Sequence, residues 1–326
     1  MQNGKVEGEG ACKVERESPA NRETSGATQR SSSRGALLGL VVAEAFGAAQ
    51  HATRRTKAGE TGPWVEMALA LATSLKDHGR FFAADLTPRY VALAATQKGL
   101  DTITVASLAM IARGVSIGEA SNRAFVHENR APLGDGALAR IAPIGIALAD
   151  KPLQRRLAAL AECAITHYEP RCRIAAAAFC AAIAEACRGN AEPAAMLNAA
   201  RDEVVAACSA LTDLVPRDGP EAEIARADLL SALDPAQDPQ RFVPGVFSLI
   251  FQALLSAPTL EAGLRETALP GGDAGAGAAA LGALLGARFG ENAFGLPLLE
   301  QVFGEEAESR SRELLTLADG LRPSLK

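Results

Sequence analysis

The stretch of this sequence best suited to hold a reacting group is Gly271-Gly272-Asp273-Ala274-Gly275-Ala276-Gly277, which runs into an alanine-rich segment ending at Gly290. A glycine-dense turn that opens into a helix lets backbone N–H groups face an anion, and a carboxylate on such a turn can face a metal ion. The same glycines would also serve as a plain turn, and both readings are open at this point. Other arrangements that carry chemistry are not expected. There is no P-loop and no His-Glu-x-x-His, no serine nucleophile elbow is expected, and four histidines at 51, 78, 127 and 167 offer no cluster for zinc. The six cysteines, at 12, 163, 172, 180, 187 and 208, form neither a CxxC pair nor a dense disulfide scaffold, so reduced, packed thiols are expected.

The scaffold for any such site reads as all-α. Of the 326 residues 48% are apolar but only 4% aromatic, and alanine, the best helix former, makes up the difference. No stretch shows the period-two alternation of a strand. A net charge of −5 and the lack of a basic stripe interleaved with aromatics give no means of holding nucleic acid. No apolar run reaches the ~18 residues of a membrane span and no leader is evident, so no membrane association and a cytoplasmic location are expected.

Residues 1–34 are polar with hardly an aliphatic side chain, and are expected to form a disordered tail. Residues 35–320 are expected to form one domain of many helices, with 321–326 a C-terminal tail. Gly35 to Ala49 is apolar nearly all round, which suits a central helix. Asp85 is expected to cap a helix carrying Pro88 in its first turn, and Pro143 to mark a kink or boundary. Small residues on every face of Ile174 to Ala184 place that helix in the middle of the bundle.

Four segments taken together resemble the ADP-ribosylglycohydrolase family. Gly35-Ala36-Leu37-Leu38-Gly39 through Gly47 resembles its opening helix, and Gly134-Asp135-Gly136 with Arg140-Ile141-Ala142-Pro143-Ile144-Gly145 is similar to its Gly-Asn-Gly…Arg-x-Ala-Pro-x-Gly segment. Thr166-His167 resembles its Thr-His motif, and Gly271-Gly272-Asp273-Ala274 with Gly282 to Ala287 its C-terminal signature. The resemblance implies a helical fold around a cleft that binds ADP-ribose. In active members two magnesium or manganese ions assist hydrolysis at the anomeric carbon, which requires hard oxygen ligands.

The departures fall on those ligands. Where the family carries Thr-Asp-Asp-Thr, the ungapped match anchored on Gly59 and Met67 places Gly62, Pro63, Trp64 and Val65; where it carries Asp-Ala-Asp-Thr-Asn, this chain has Asp273-Ala274-Gly275-Ala276-Gly277. The usual Gly-Asp of the first helix is Ala43-Glu44. The expectation is that the two-metal site is lost, with no cofactor, and that the Trp64 ring fills the space. A different ion site built from Glu44, Glu60, Glu66 and Asp273 is the alternative.

By the same resemblance Gly134, Asp135, Gly136, Arg140, His167, Gly271, Gly272 and Asp273 are the residues expected to line a pocket for an ADP-ribose-like molecule. Each has a structural reading beside it: Arg140 as a buried ion-pair partner, of Asp135 for instance; His167 as a helix-end residue with a satisfied ring; the glycines as points of close packing. The function expected is that of a pseudoenzyme acting through a protein partner. The alternative is a hydrolase of ADP-ribosyl or related bonds without the usual ions, with Glu44, Asp135 or Asp273 as acid or base.

Overall fold

The computed structural model describes residues 19–50, 61–127, 135–236, 245–266 and 274–323. Among these residues the chain is helical, with no strand. The helices are α1 (Pro19–Gln50), α2 (Pro63–His78), α3 (Ala83–Thr96), α4 (Thr102–Ala112), α5 (Ile117–His127), α6 (Gly136–Arg140), α7 (Ala142–Ala147) and α8 (Pro152–Cys163). They continue with α9 (Pro170–Cys187), α10 (Pro193–Leu214), α11 (Gly219–Ala232), α12 (Gly245–Ser256), α13 (Leu260–Glu266), α14 (Ala274–Phe289), α15 (Leu296–Phe303) and α16 (Ala307–Leu321).

Local chemistry sets many of these boundaries. Proline, whose missing N–H costs nothing in a first turn, opens α2, α8, α9 and α10. Glu169 caps α9 by accepting the Cys172 N–H at 3.1 Å, and Gly79 closes α2 in the left-handed region at φ 64°. Pro143 marks a boundary as expected, separating α6 from α7. Asp85 is not the cap of α3: the helix starts two residues earlier, after Phe82, and Asp85 lies in its first turn.

Two helices organise the core. Helix α9 is buried on almost every face from Arg173 to Cys187 and packs against α10, α8, α7 and α11, as its small side chains allow. Helices α1 and α14 form the most extensive contact in the molecule. They meet backbone to backbone through reciprocal glycines, Gly35 with Gly286 and Gly39 with Gly282. A Cβ built on Gly286 would stand 2.7 Å from the Gly35 carbonyl carbon, and one on Gly39 2.8 Å from that of Gly282, closer than real Cβ atoms come.

Part of each segment expected to be a tail belongs to the fold. Helix α1 begins at Pro19, so residues 19–34 belong to it and not to a disordered segment. Ser32 and Ser33 are buried, and Arg34 donates from Nε and Nη2 to the two oxygens of Asp319, at 2.9 and 2.8 Å, and from Nη1 to Glu291 at 3.0 Å. Ser31 and Arg34 have partners distant in sequence, while the Ser33 hydroxyl donates to the Gln29 carbonyl within the helix. At the other end Leu321 and Arg322 are buried, and Arg322 donates to the Cys187 carbonyl and to Asp150. Residues 1–18 and 324–326 lie outside the described residues.

Candidate functional site

Arg140 ends the short helix α6, which Pro143 prevents from running on into α7, and its side chain is wholly buried. Its Nε donates to Glu162 Oε1 of α8 at 2.6 Å and its Nη2 to Thr166 Oγ1 at 2.8 Å. The Tyr90 hydroxyl of α3 donates to the same Glu162 oxygen at 2.8 Å, and the guanidinium lies 5.1 Å from the Tyr90 ring centroid. Burial by itself would depress the Arg140 pKa, but the Glu162 carboxylate outweighs it and the arginine stays charged. Burial, then Glu162, pushes the Tyr90 hydroxyl well above its ordinary value. The carboxylate paired with Arg140 is thus Glu162, in place of the Asp135 suggested by sequence proximity.

From Arg140 the network runs on to the loop between α8 and α9. Thr166 Oγ1, accepting from Arg140, lies 2.8 Å from His167 Nδ1, and His167 Nε2 lies 3.4 Å from Asp101 Oδ2. Thr166 Oγ1 and His167 Nδ1 share one hydrogen bond, while His167 Nε2 and Asp101 Oδ2 approach as an ion-pair contact without forming one. Asp101 Oδ1 meanwhile accepts the Thr104 N–H at 2.6 Å, capping α4. Burial works to raise the Asp101 pKa, but the His167 ring and the Thr104 N–H outweigh it and hold the carboxyl down at about 2. His167 is 2% exposed, so its ring is a buried link and not a group displayed to solvent.

A second cluster stands beside this one, at the start of α2. Glu44, on α1 and 4% exposed, accepts the Gly62 N–H on one carboxylate oxygen at 2.9 Å and the Trp64 N–H on the other at 3.1 Å. The Trp64 ring is buried against Gly136, where an added Cβ would stand 2.6 Å from the indole and 2.7 Å from Asp101 Oδ2. Indole, Asp101 and Gly136 backbone therefore share one point, and only glycine fits at 136.

The remaining sequence-selected residues divide into two groups. Gly134, Gly271, Gly272, Asp273, Gly59 and Glu60 lie outside the described residues. Asp135 precedes α6, half-buried, with its backbone carbonyl accepting the Ala139 N–H. Glu66 accepts from Thr61, Val65 is buried in α2, and Gly275 and buried Ala276 lie in the first turn of α14. Among the described residues no group of three or more His, Cys, Asp or Glu side chains could hold a metal ion. The segment Gly114-Val115-Ser116-Ile117-Gly118 has Gly-x-Ser-x-Gly spacing without being such an elbow. It joins two helices, α4 and α5, whereas a nucleophile elbow needs a strand before its serine.

Tyr90, Asp101 and Glu162 were not singled out by sequence. Glu162 leaves a signal, an acidic residue between Leu160 and Cys163 on an apolar helix face, and Asp101 has the form of a helix cap before Thr102. The five described cysteines are free and four of them buried, as expected; burial pushes the Cys187 thiol up to about 11. Among the described residues no helix is long and apolar enough to cross a membrane.

The ADP-ribosylglycohydrolase family model matches residues 25–324. A solved structure described as an ADP-ribosylglycohydrolase-related protein complex matches at 21% identity and a TM-score of 0.64, over 92% of this chain and 100% of that one. No curated protein matches in sequence.

Proposed function

The chain belongs to the ADP-ribosylglycohydrolase family, and from that premise we propose that it is a catalytically degenerate member that works by binding and not by hydrolysis. The observation that supports this most directly is the start of α2, where the resemblance implies ion ligands. Gly62, Pro63, Trp64 and Val65 offer no side-chain oxygen, the Trp64 ring is packed onto Gly136, and the adjoining carboxylate of Glu44 has an oxygen on each of two backbone N–H groups. A pair of divalent ions needs several free hard ligands, and this set does not fit them. The same hydrogen bonds remove Glu44 as a mobile acid or base, which weighs against metal-independent hydrolysis. Arg140, Thr166 and His167 hold one another and would shape a residual pocket from behind.

The role that follows is that of a scaffold or regulatory subunit with a protein partner, and the description of the solved neighbour as a complex is consistent with it. The test is calorimetric titration of the purified protein with magnesium or manganese, with and without ADP-ribose, alongside an assay for ADP-ribose release. The expected result is no saturable two-ion binding and no release. Tight binding of two ions, or metal-dependent release, would overturn the proposal.

A further inference from the structure

Among the described residues the buried arginines are Arg140, Arg155, Arg173 and Arg322. Three of them lie against a carboxylate: Arg140 against Glu162, Arg155 against Glu203 and Arg322 against Asp150. Arg173, 7% exposed, has no carboxylate within 4.0 Å among the described residues. Its Nε donates to the Leu160 carbonyl of α8 at 3.3 Å, which ties one edge of the guanidinium to that helix. Nη1 and Nη2 make no hydrogen bond among the described residues, and neither is sealed off from solvent. The fork of the side chain is therefore held at an opening with nothing in it from the protein.

Two further features make this an uncomfortable place for an unpaired cation. Burial pushes the Arg173 pKa down, against Cys163, Asp218 and Tyr168, which push it up. Arg173 is also the fourth residue of α9, at the positive end of that helix's dipole, where an anion is favoured and a cation is not. Asp218 does not relieve it, because its two oxygens lie 3.1 and 2.9 Å from the Tyr168 hydroxyl, which in turn accepts from Arg217 at 2.8 Å. An oxyanion against Nη1 and Nη2 would meet the fork in the paired geometry that guanidinium gives carboxylates and phosphates.

We infer that Arg173, at the corner where the start of α9 meets α8, is the binding group of a site for a small oxyanion, a phosphate or a carboxylate. The site is separate from the start of α2 and does not depend on whether the chain hydrolyses anything.

The experiment is thermal unfolding of the full chain, R173M and R173K at 222 nm, in sodium phosphate and in sodium acetate, each against sodium chloride at matched pH and ionic strength. Phosphate or acetate is expected to raise the parent's Tm saturably, by roughly 2 °C or more beyond chloride. R173M is expected to gain nothing beyond chloride. In chloride alone it is expected to melt no lower than the parent, since it removes a desolvated charge and the Leu160 carbonyl still accepts the Ala164 N–H at 3.3 Å. R173K keeps the charge but not the fork, and should gain less than the parent. A parent that neither oxyanion stabilises beyond chloride, or an R173M stabilised as much as the parent, overturns the inference. So does an R173M that folds but melts well below the parent in chloride, because the guanidinium would then be satisfied already. Should R173M fail to fold, R173K carries the test, and an R173K that gains as much as the parent overturns it.

Discussion

Replacing Gly286 by alanine puts the α1–α14 contact to a quantitative test. The new methyl would stand 2.7 Å from the Gly35 carbonyl carbon, and closer still to its oxygen. A comfortable carbon contact is about 3.5 Å, so the carbon contact alone requires the helices to part by about 0.8 Å, and the nearer oxygen requires more. The obstacle is backbone on a neighbouring helix, with no side chain that can swing aside, and the upper end of the usual overpacking cost, about 3 kcal/mol, applies. Alanine recovers roughly 1 kcal/mol of helix propensity over glycine, leaving a net loss of about 2 kcal/mol. Gly26, in the same α1 but with nothing within 4 Å of an added Cβ, is the control: there the substitution is expected to stabilise by roughly 0.5–1 kcal/mol. Urea titrations followed at 222 nm give both values. If G286A unfolds at the same urea concentration as the parent or higher, the backbone-on-backbone account of this contact is wrong.

Two further outcomes concern the buried network. Glu162→Ala strips the wholly buried Arg140 of its carboxylate and should cost about 3–5 kcal/mol, read as a shifted urea midpoint, whereas a cost under about 1 kcal/mol would mean the pair is solvated. Asp101, held near 2 in the folded chain against an unfolded value of about 3.9, contributes stability that is fully present above pH ~4 and is lost as pH falls toward 2. Asn is as good a cap as Asp, so Asp101→Asn should remove that acid-side loss, on the order of 2 kcal/mol, while keeping α4 capped. Equal slopes of stability against pH for parent and D101N between 4 and 2 would refute it.

Much of this protein was legible in its sequence, because helix formation is local. Alanine content, proline at helix starts and the period of apolar residues are properties of short windows, and they gave the helical class, the break at Pro143 and the central place of α9. The glycines of α1 and α14, and Trp64 at a position where the resemblance implies an ion ligand, were visible as well, since each is a matter of residue type at a position. What only the tertiary structure decided was pairing. Arg140 takes Glu162, not the nearby Asp135, because the end of α6 points into the interior toward α8. Ser31 and Arg34 belong to the fold because α16 and the segment after α14 supply their partners from nearly the whole chain length away. Asp101, readable as a cap, became the neighbour of His167 only when α4 was docked. The carboxylate of Glu44 meets the start of α2 for the same reason. A side chain's type is fixed by the sequence, but whether a charge faces water, an ion or another helix's N–H groups depends on which elements the packing brings beside it.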